Sequence, residues 1–118
     1  MIPRYRAYDG GSLCRMYSPE EVMVGNGDIW IIDEDGVAGE WIVNNDLVLM
    51  QSTGLTDKNG KEIFEGDVVK MAKNVYSEPT YYEVVRHRGG AYRLESKQYG
   101  CELWLRHTDC EIAGNIYT

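Results

Sequence analysis

The sequence predicts a mainly β protein with one short helix, arranged as a C-terminal SH3-like five-stranded barrel packed against an N-terminal hairpin-rich lobe. Three observations lead there. Apolar stretches are short and are separated by glycine, asparagine and aspartate punctuation, the pattern of strands joined by turns. Nine tyrosines and three tryptophans against one phenylalanine supply rings with a polar handle, suited to half-buried sheet faces. The stretch Gln51 to Met71, QSTGLTDKNGKEIFEGDVVKM, concentrates turn chemistry between two strand-like runs. A chain of 118 residues is one domain's worth, enough for one modest core or two small ones. It is divided here into residues 1–52, the lobe, and 53–118, the barrel, as one compact unit.

Taken in order, Tyr5 to Tyr8 and Leu13 to Tyr17 form a first hairpin about Asp9-Gly10-Gly11. Ser18-Pro19-Glu20-Glu21 combines an N-cap residue, a proline at the first helical position and acids in the first turn, so a short helix is predicted from there to Gly25-Asn26-Gly27. Ile29-Trp30-Ile31-Ile32 and Trp41-Ile42-Val43 form a second hairpin about Asp35-Gly36. Being continuously apolar, it is expected to be covered on both faces. Leu47 to Met50 then leads into the turn-rich stretch. There Asn59-Gly60 predicts a type I′ hairpin, and Glu65-Gly66-Asp67 a tight bend in which Gly66 takes a positive φ before Val68 to Met71. Tyr81 to Arg88 and Ala91 to Ser96 flank a two-residue Gly89-Gly90 turn that would pair Val85 with Leu94 and His87 with Tyr92. Cys101 to Arg106 alternates as a strand with Leu103 and Leu105 inward, and Ile112 to Tyr117 closes the set of five.

Net charge is −7, so the mean field repels phosphate backbones and useful affinity for duplex DNA is not expected. The acids read as scattered through turns, which gives little support to a nucleic-acid mimic. One basic cluster, Arg86, Arg88 and Arg93, flanks the Gly89-Gly90 turn and reads first as a solvated hairpin tip. Cys14, Cys101 and Cys110 are an odd number with no C-x-x-C, and no leader or long apolar segment is read, which predicts a reduced, cytoplasmic protein without a membrane span. Cys101, His107 and Cys110 lack a fourth ligand and a knuckle spacing, so no metal is predicted, and no cofactor. His87 is assigned a structural place beside Tyr92. No Walker loop, G-x-S-x-G, H-E-x-x-H or Rossmann fingerprint is present, and the chain is expected not to be an enzyme.

The residues Thr53-Gly54-Leu55, Asp57-Lys58-Asn59-Gly60-Lys61-Glu62-Ile63 and Glu65-Gly66-Asp67-Val68-Val69-Lys70 resemble the signature of the YopX-like proteins of phages and prophages. Arg6-Ala7-Tyr8-Asp9 and Glu111 to Tyr117 are similar to that family's opening and closing segments, while residues 18–46 and 72–108 show no such likeness. The resemblance implies a compact β-rich fold with an SH3-like barrel in the C-terminal half, and a phage or prophage accessory protein in the cytoplasm of a bacterial host. It carries over no catalytic residue. Thr53, Gly54, Asp57, Asn59, Gly60, Glu65, Gly66 and Asp67 are read as structural.

Two functional readings follow. In the first, the chain is a non-enzymatic binding module for an unknown protein partner or a second copy of itself. In the second, the Arg86, Arg88 and Arg93 tip contacts nucleic acid. The candidate binding surface is Trp104 with Arg106, together with those three arginines. Strand alternation would send Trp104 to the face opposite Leu103 and Leu105, where it is covered by the lobe, sits between copies, or anchors a partner.

Overall fold

The computed structural model describes residues 4–11, 14–32, 40–72, 78–87, 90–97 and 100–117. They fall into two compact units, Met1–Gln51 and Ser52–Thr118, and every strand ladder among the described residues is antiparallel.

In the first unit, β1 (Tyr5–Asp9) pairs with β2 (Arg15–Tyr17), and Asp9 Oδ1 accepts the Gly11 N–H at 2.9 Å to start the turn between them. The expected helix is replaced by a single 3-10 turn, Pro19–Glu21, followed at once by β3 (Val22–Gly25). The start signal is genuine: the Ser18 N–H donates to Glu21 Oε1 at 3.1 Å. Propagation fails because Val22 and Val24 are β-branched and pair across to Ile31 and Ile29 of β4 (Asp28–Ile32). Asn26-Gly27, expected to stop a helix, is instead the hairpin turn. Their φ values of 54 and 80 make it, among the described residues, the one positive-φ pair suited to a type I′ loop. On its other side β4 pairs with β5 (Trp41–Val43). The expected turn at Asp35-Gly36 lies outside the described residues. Ala7, Tyr17, Val22, Ile31 and Leu47 form this unit's core.

The second unit begins inside β6 (Val48–Thr56), whose first half pairs with β1 and whose second half pairs with β7 (Glu62–Phe64). Between the pairs Ser52↔Phe64 and Thr56↔Glu62, β6 spends two residues more than β7, and the bulge is built by the family-like residues. Gly54 takes φ 77, its N–H donates to Ser52 Oγ, and Thr53 Oγ1 donates to the Ile63 carbonyl at 2.7 Å. The turn after it is not type I′. Gly60 is left-handed at φ 81 but Asn59 is not, and Gly60 N–H→Asp57 C=O with Asp57 N–H→Lys61 C=O closes a longer loop of the type I plus bulge pattern.

A five-stranded sheet follows, β8 (Asp67–Met71), β9 (Thr80–Arg86), β10 (Tyr92–Glu95), β11 (Gly100–Glu102) and β12 (Glu111–Asn115), in the order β11-β10-β9-β8-β12. Each overlaps one of the five stretches predicted as strands of the SH3-like barrel, but the one expected over Cys101–Arg106 ends at Glu102. The sheet curls into a half-barrel; among the described residues no ladder joins β11 to β12, so it is not closed. Turn residues cap part of β12 in place of a strand: the Lys58 N–H donates to the Cys110 carbonyl, and the Ile112 N–H to Asp57 Oδ2. Gly66, at φ 87 as expected, donates its N–H to Val84 and accepts from Ile116, both at 2.9 Å, so one bend residue is bonded to the chain on either side of β8.

The β9–β10 register differs by one residue from expectation. Arg86 faces Tyr92 and Val84 faces Leu94, because the loop repeats the 57–61 pattern, with Gly90 at φ 86 and His87 N–H→Ala91 C=O. A one-residue slip exchanges faces, so Val84 and Leu94 are buried while Val85 turns outward. His87 consequently does not pack at the core edge; its Nε2 lies 2.6 Å from Glu95 Oε1 at the surface. Arg88 and Gly89 lie outside the described residues.

Candidate binding surfaces

The Cys101–Arg106 segment is not a continuous strand. β11 ends at Glu102, and α1 (Leu103–Arg106) with a 3-10 turn over His107–Asp109 follows. The topology requires this: β11 and β12 lie at opposite edges of the five-stranded sheet, so the chain must cross between Glu102 and Glu111 rather than run on. Leu103 alone of the four α1 residues is buried, and Leu105, expected inward, is exposed. Trp104 is 63% exposed and Leu105 58%, a pair of large apolar side chains in solvent.

Their base is firmly held. The Cys110 thiol and N–H donate to the Arg106 and His107 carbonyls, at 3.3 and 3.2 Å, and His107 Nδ1 donates to the Thr56 carbonyl at 2.7 Å. Burial pushes the Cys110 thiol up to about 11, and it raises the Cys101 thiol too, so neither is a thiolate at neutral pH. Arg106 Nε bonds Asp109 Oδ2 at 3.0 Å and so is engaged beside Trp104 rather than extended from it.

The two described arginines of the basic tip do not share a face. Strand alternation puts Arg86 on the same side of β9 as Tyr82 and Val84, whereas Arg93, opposite Val85, is on the outer face with its Nη1 2.9 Å from Glu102 Oε1. Several of the family-like residues bond to the backbone or occupy turn positions. Asp57 accepts from Asn59, Lys61 and Ile112, Asp67 Oδ2 accepts the Phe64 N–H at 2.8 Å, and Gly54, Gly60 and Gly66 occupy positive φ.

A larger surface lies in the first unit and was missed from the sequence. Cross-strand pairing sorts β3-β4-β5 into two faces. Val22, Ile29 and Ile31 point into or against the core, while Met23, Trp30, Ile32, Trp41 and Val43 share the opposite face. Met23 is 48% exposed, Trp41 36% and Val43 43%, with Trp30 and Ile32 half-buried, so the cover expected on both faces is incomplete here. The Trp30 indole N–H donates to the Gly25 carbonyl at 3.3 Å, which holds its ring along this face. At the sheet edge, all three residues of β5 are exposed, and among the described residues β5 pairs only with β4. The signal was the non-alternating run itself. Apolar residues on both faces of a sheet demand either two covering layers or a partner, and 51 residues provide one core.

Comparison with curated proteins yields no match. Among solved structures, the chain is similar to the crystal structure of protein EF1440 from Enterococcus faecalis, at 26% identity and a TM-score of 0.63, over 99% of this chain and 94% of that one. The family model described as YopX protein matches residues 4–118, including the segments 18–46 and 72–108 where short motifs showed no likeness. With that span matched, the chain belongs to the YopX family.

Proposed function

We propose that this chain is a non-enzymatic protein-binding module, a phage or prophage accessory protein acting in the bacterial cytoplasm. The observation that carries the reading is the apolar outer face of β3-β4-β5, where Met23 and Val43 are exposed and Trp41 partly so, beside β5, which among the described residues pairs only with β4. Single exposed apolar residues are ordinary, but a contiguous face of aromatic and aliphatic side chains is the composition of an interaction site. Trp104 and Leu105 offer a second, smaller anchor. Support for the phage setting is family membership alone, and the reduced thiols of Cys14, Cys101 and Cys110 agree with a cytoplasmic one.

The nucleic-acid reading draws less support, since of its three arginines Arg86 and Arg93 sit on opposite faces of the sheet and Arg93 is paired with Glu102, while Arg88 lies outside the described residues. Affinity capture from host lysate with the wild-type chain and with Trp41→Glu tests the module, with DNA and RNA gel shifts run alongside. Partners retained by the wild type and lost by Trp41→Glu are expected. Equal capture by both, or tight nucleic-acid binding lost in Arg86→Ala, would reverse the assignment.

A further inference from the structure

Charge is divided unevenly along the chain, and this names the chemistry that would cover the apolar face. Met1–Gln51 carries nine acidic and three basic residues, a net of −6, whereas Ser52–Thr118 carries ten acidic and nine basic, a net of −1. Within Val22 to Val43, the span of β3, β4 and β5, the sequence has five acids and no lysine, arginine or histidine. Of the acids described there, Asp28 closes the Trp30 and Ile32 side of β4 and holds the Asn45 amide at 2.8 Å, and Glu40 is exposed immediately before Trp41. The three arginines of this unit do not offset them: Arg4 pairs with Glu20 and Arg15 with Glu21, and the Arg6 guanidinium contacts Met50 Sδ.

Resting on the module reading above, we infer that the occupant of this face is a cationic polypeptide segment with apolar side chains of its own, docking across Met23, Trp30, Trp41 and Val43 and along the β5 edge. Each part of that chemistry answers one observed feature. Apolar side chains on the partner replace water over the exposed face. Lysine or arginine on the partner meets a field that is uniformly acidic, which raises the rate of encounter and selects against acidic partners. An extended segment can pair with the free side of β5, which among the described residues is bonded only to β4 and has no proline or lysine to blunt its edge. A second copy of this chain is disfavoured by the same charge, since joining two such faces brings together two units of net −6.

The test uses the full chain with Trp104→Phe, so that Trp30 and Trp41 alone report, titrated with short peptides of alternating lysine and valine, glutamate and valine, or lysine and serine. The lysine–valine peptide is expected to give a saturable emission change whose affinity falls about tenfold between roughly 0.05 and 0.5 M salt. Neither other peptide should saturate. Val43→Lys, at an exposed edge position, should abolish the response, and the isosteric but uncharged Val43→Thr should weaken it less. Equal binding of the glutamate–valine peptide at this face would overturn the cationic assignment while leaving a protein-binding site. Saturation by the lysine–serine peptide would mean charge alone is read and the apolar face is not used. No response to any peptide from a chain that sediments as a monomer would overturn both inferences. A dimer dispersed by Val43→Lys would make the second copy the occupant instead.

Discussion

The two units use β structure in opposite ways. In the five-stranded sheet, alternate residues of β9 and β10 divide cleanly: Tyr82, Val84 and Leu94 are buried, while Glu83, Arg93 and Glu95 face out, with Arg93 bonded to Glu102 across the strands. In the three-stranded sheet, both faces are apolar and only the side bearing Val22 and Ile31 has a core. A sheet with one polar face is complete in water. A sheet with two apolar faces and one core leaves a surface whose burial requires something else.

That contrast predicts a gradient of mutational effects. The largest loss is expected in the half-barrel core, where Leu94→Ala should cost about 2–5 kcal/mol through lost burial and a residual cavity, read as a lower urea midpoint. If Leu94→Ala cost no more than a surface change, the half-barrel would not be the complete unit described. Asp57→Ala should follow at about 2–3 kcal/mol, since it strips the acceptor from three backbone N–H groups. Burial opposes ionisation of Asp57, but those donors outweigh it and hold its carboxyl below the usual range. The native state therefore binds its proton less readily than the unfolded chain. This contribution is full above the unfolded carboxyl pKa of about 4 and is lost as pH falls through the lower native value. Unfolding curves against pH should show a shallower acid loss in Asp57→Asn than in the wild type.

Gly66→Val should cost about 1–3 kcal/mol, because φ 87 is a conformation that a β-branched residue resists. A chemical melt superimposable on the wild type would remove the bend from the list of constraints. The smallest effect belongs to the more exposed tryptophan: Trp104→Ala should stay within about 0.5 kcal/mol of the wild type, whereas Trp41→Ala, at 36% exposure, should cost more than that but less than Leu94→Ala. A large destabilisation by Trp41→Ala would mean that the outer face of β3-β4-β5 is part of a core after all, and the contrast between the units would fail.

Much was legible where a residue's backbone demand is local. Gly66 was predicted to bend the chain and does, four of the five barrel strands fall largely where predicted, and Asp9 starts the first turn. Errors arose where two local solutions compete. Asn26-Gly27 ends a helix or turns a hairpin, and the choice fell to Val22 and Val24 pairing with β4. At His87–Ala91 a two-residue and a longer loop differ by one step of register, and burial of Val84 with Leu94 selected the longer. Trp104 was expected on a strand that the sheet order forbids, and it lies instead on α1 with its ring exposed.

By itself the sequence determined the β class, the positions of most turns and the structural use of Asp57, Gly66 and Asp67, because φ preference and hydrogen bonding to near neighbours act over a few residues. Only the tertiary structure decided which loop type each turn adopts, which faces are buried, and that Trp41 and Val43 stand in water. Those outcomes depend on which strands pair and on how much chain is present to cover them, and an apolar residue reads the same in a sequence whether its neighbour in space is a core or solvent.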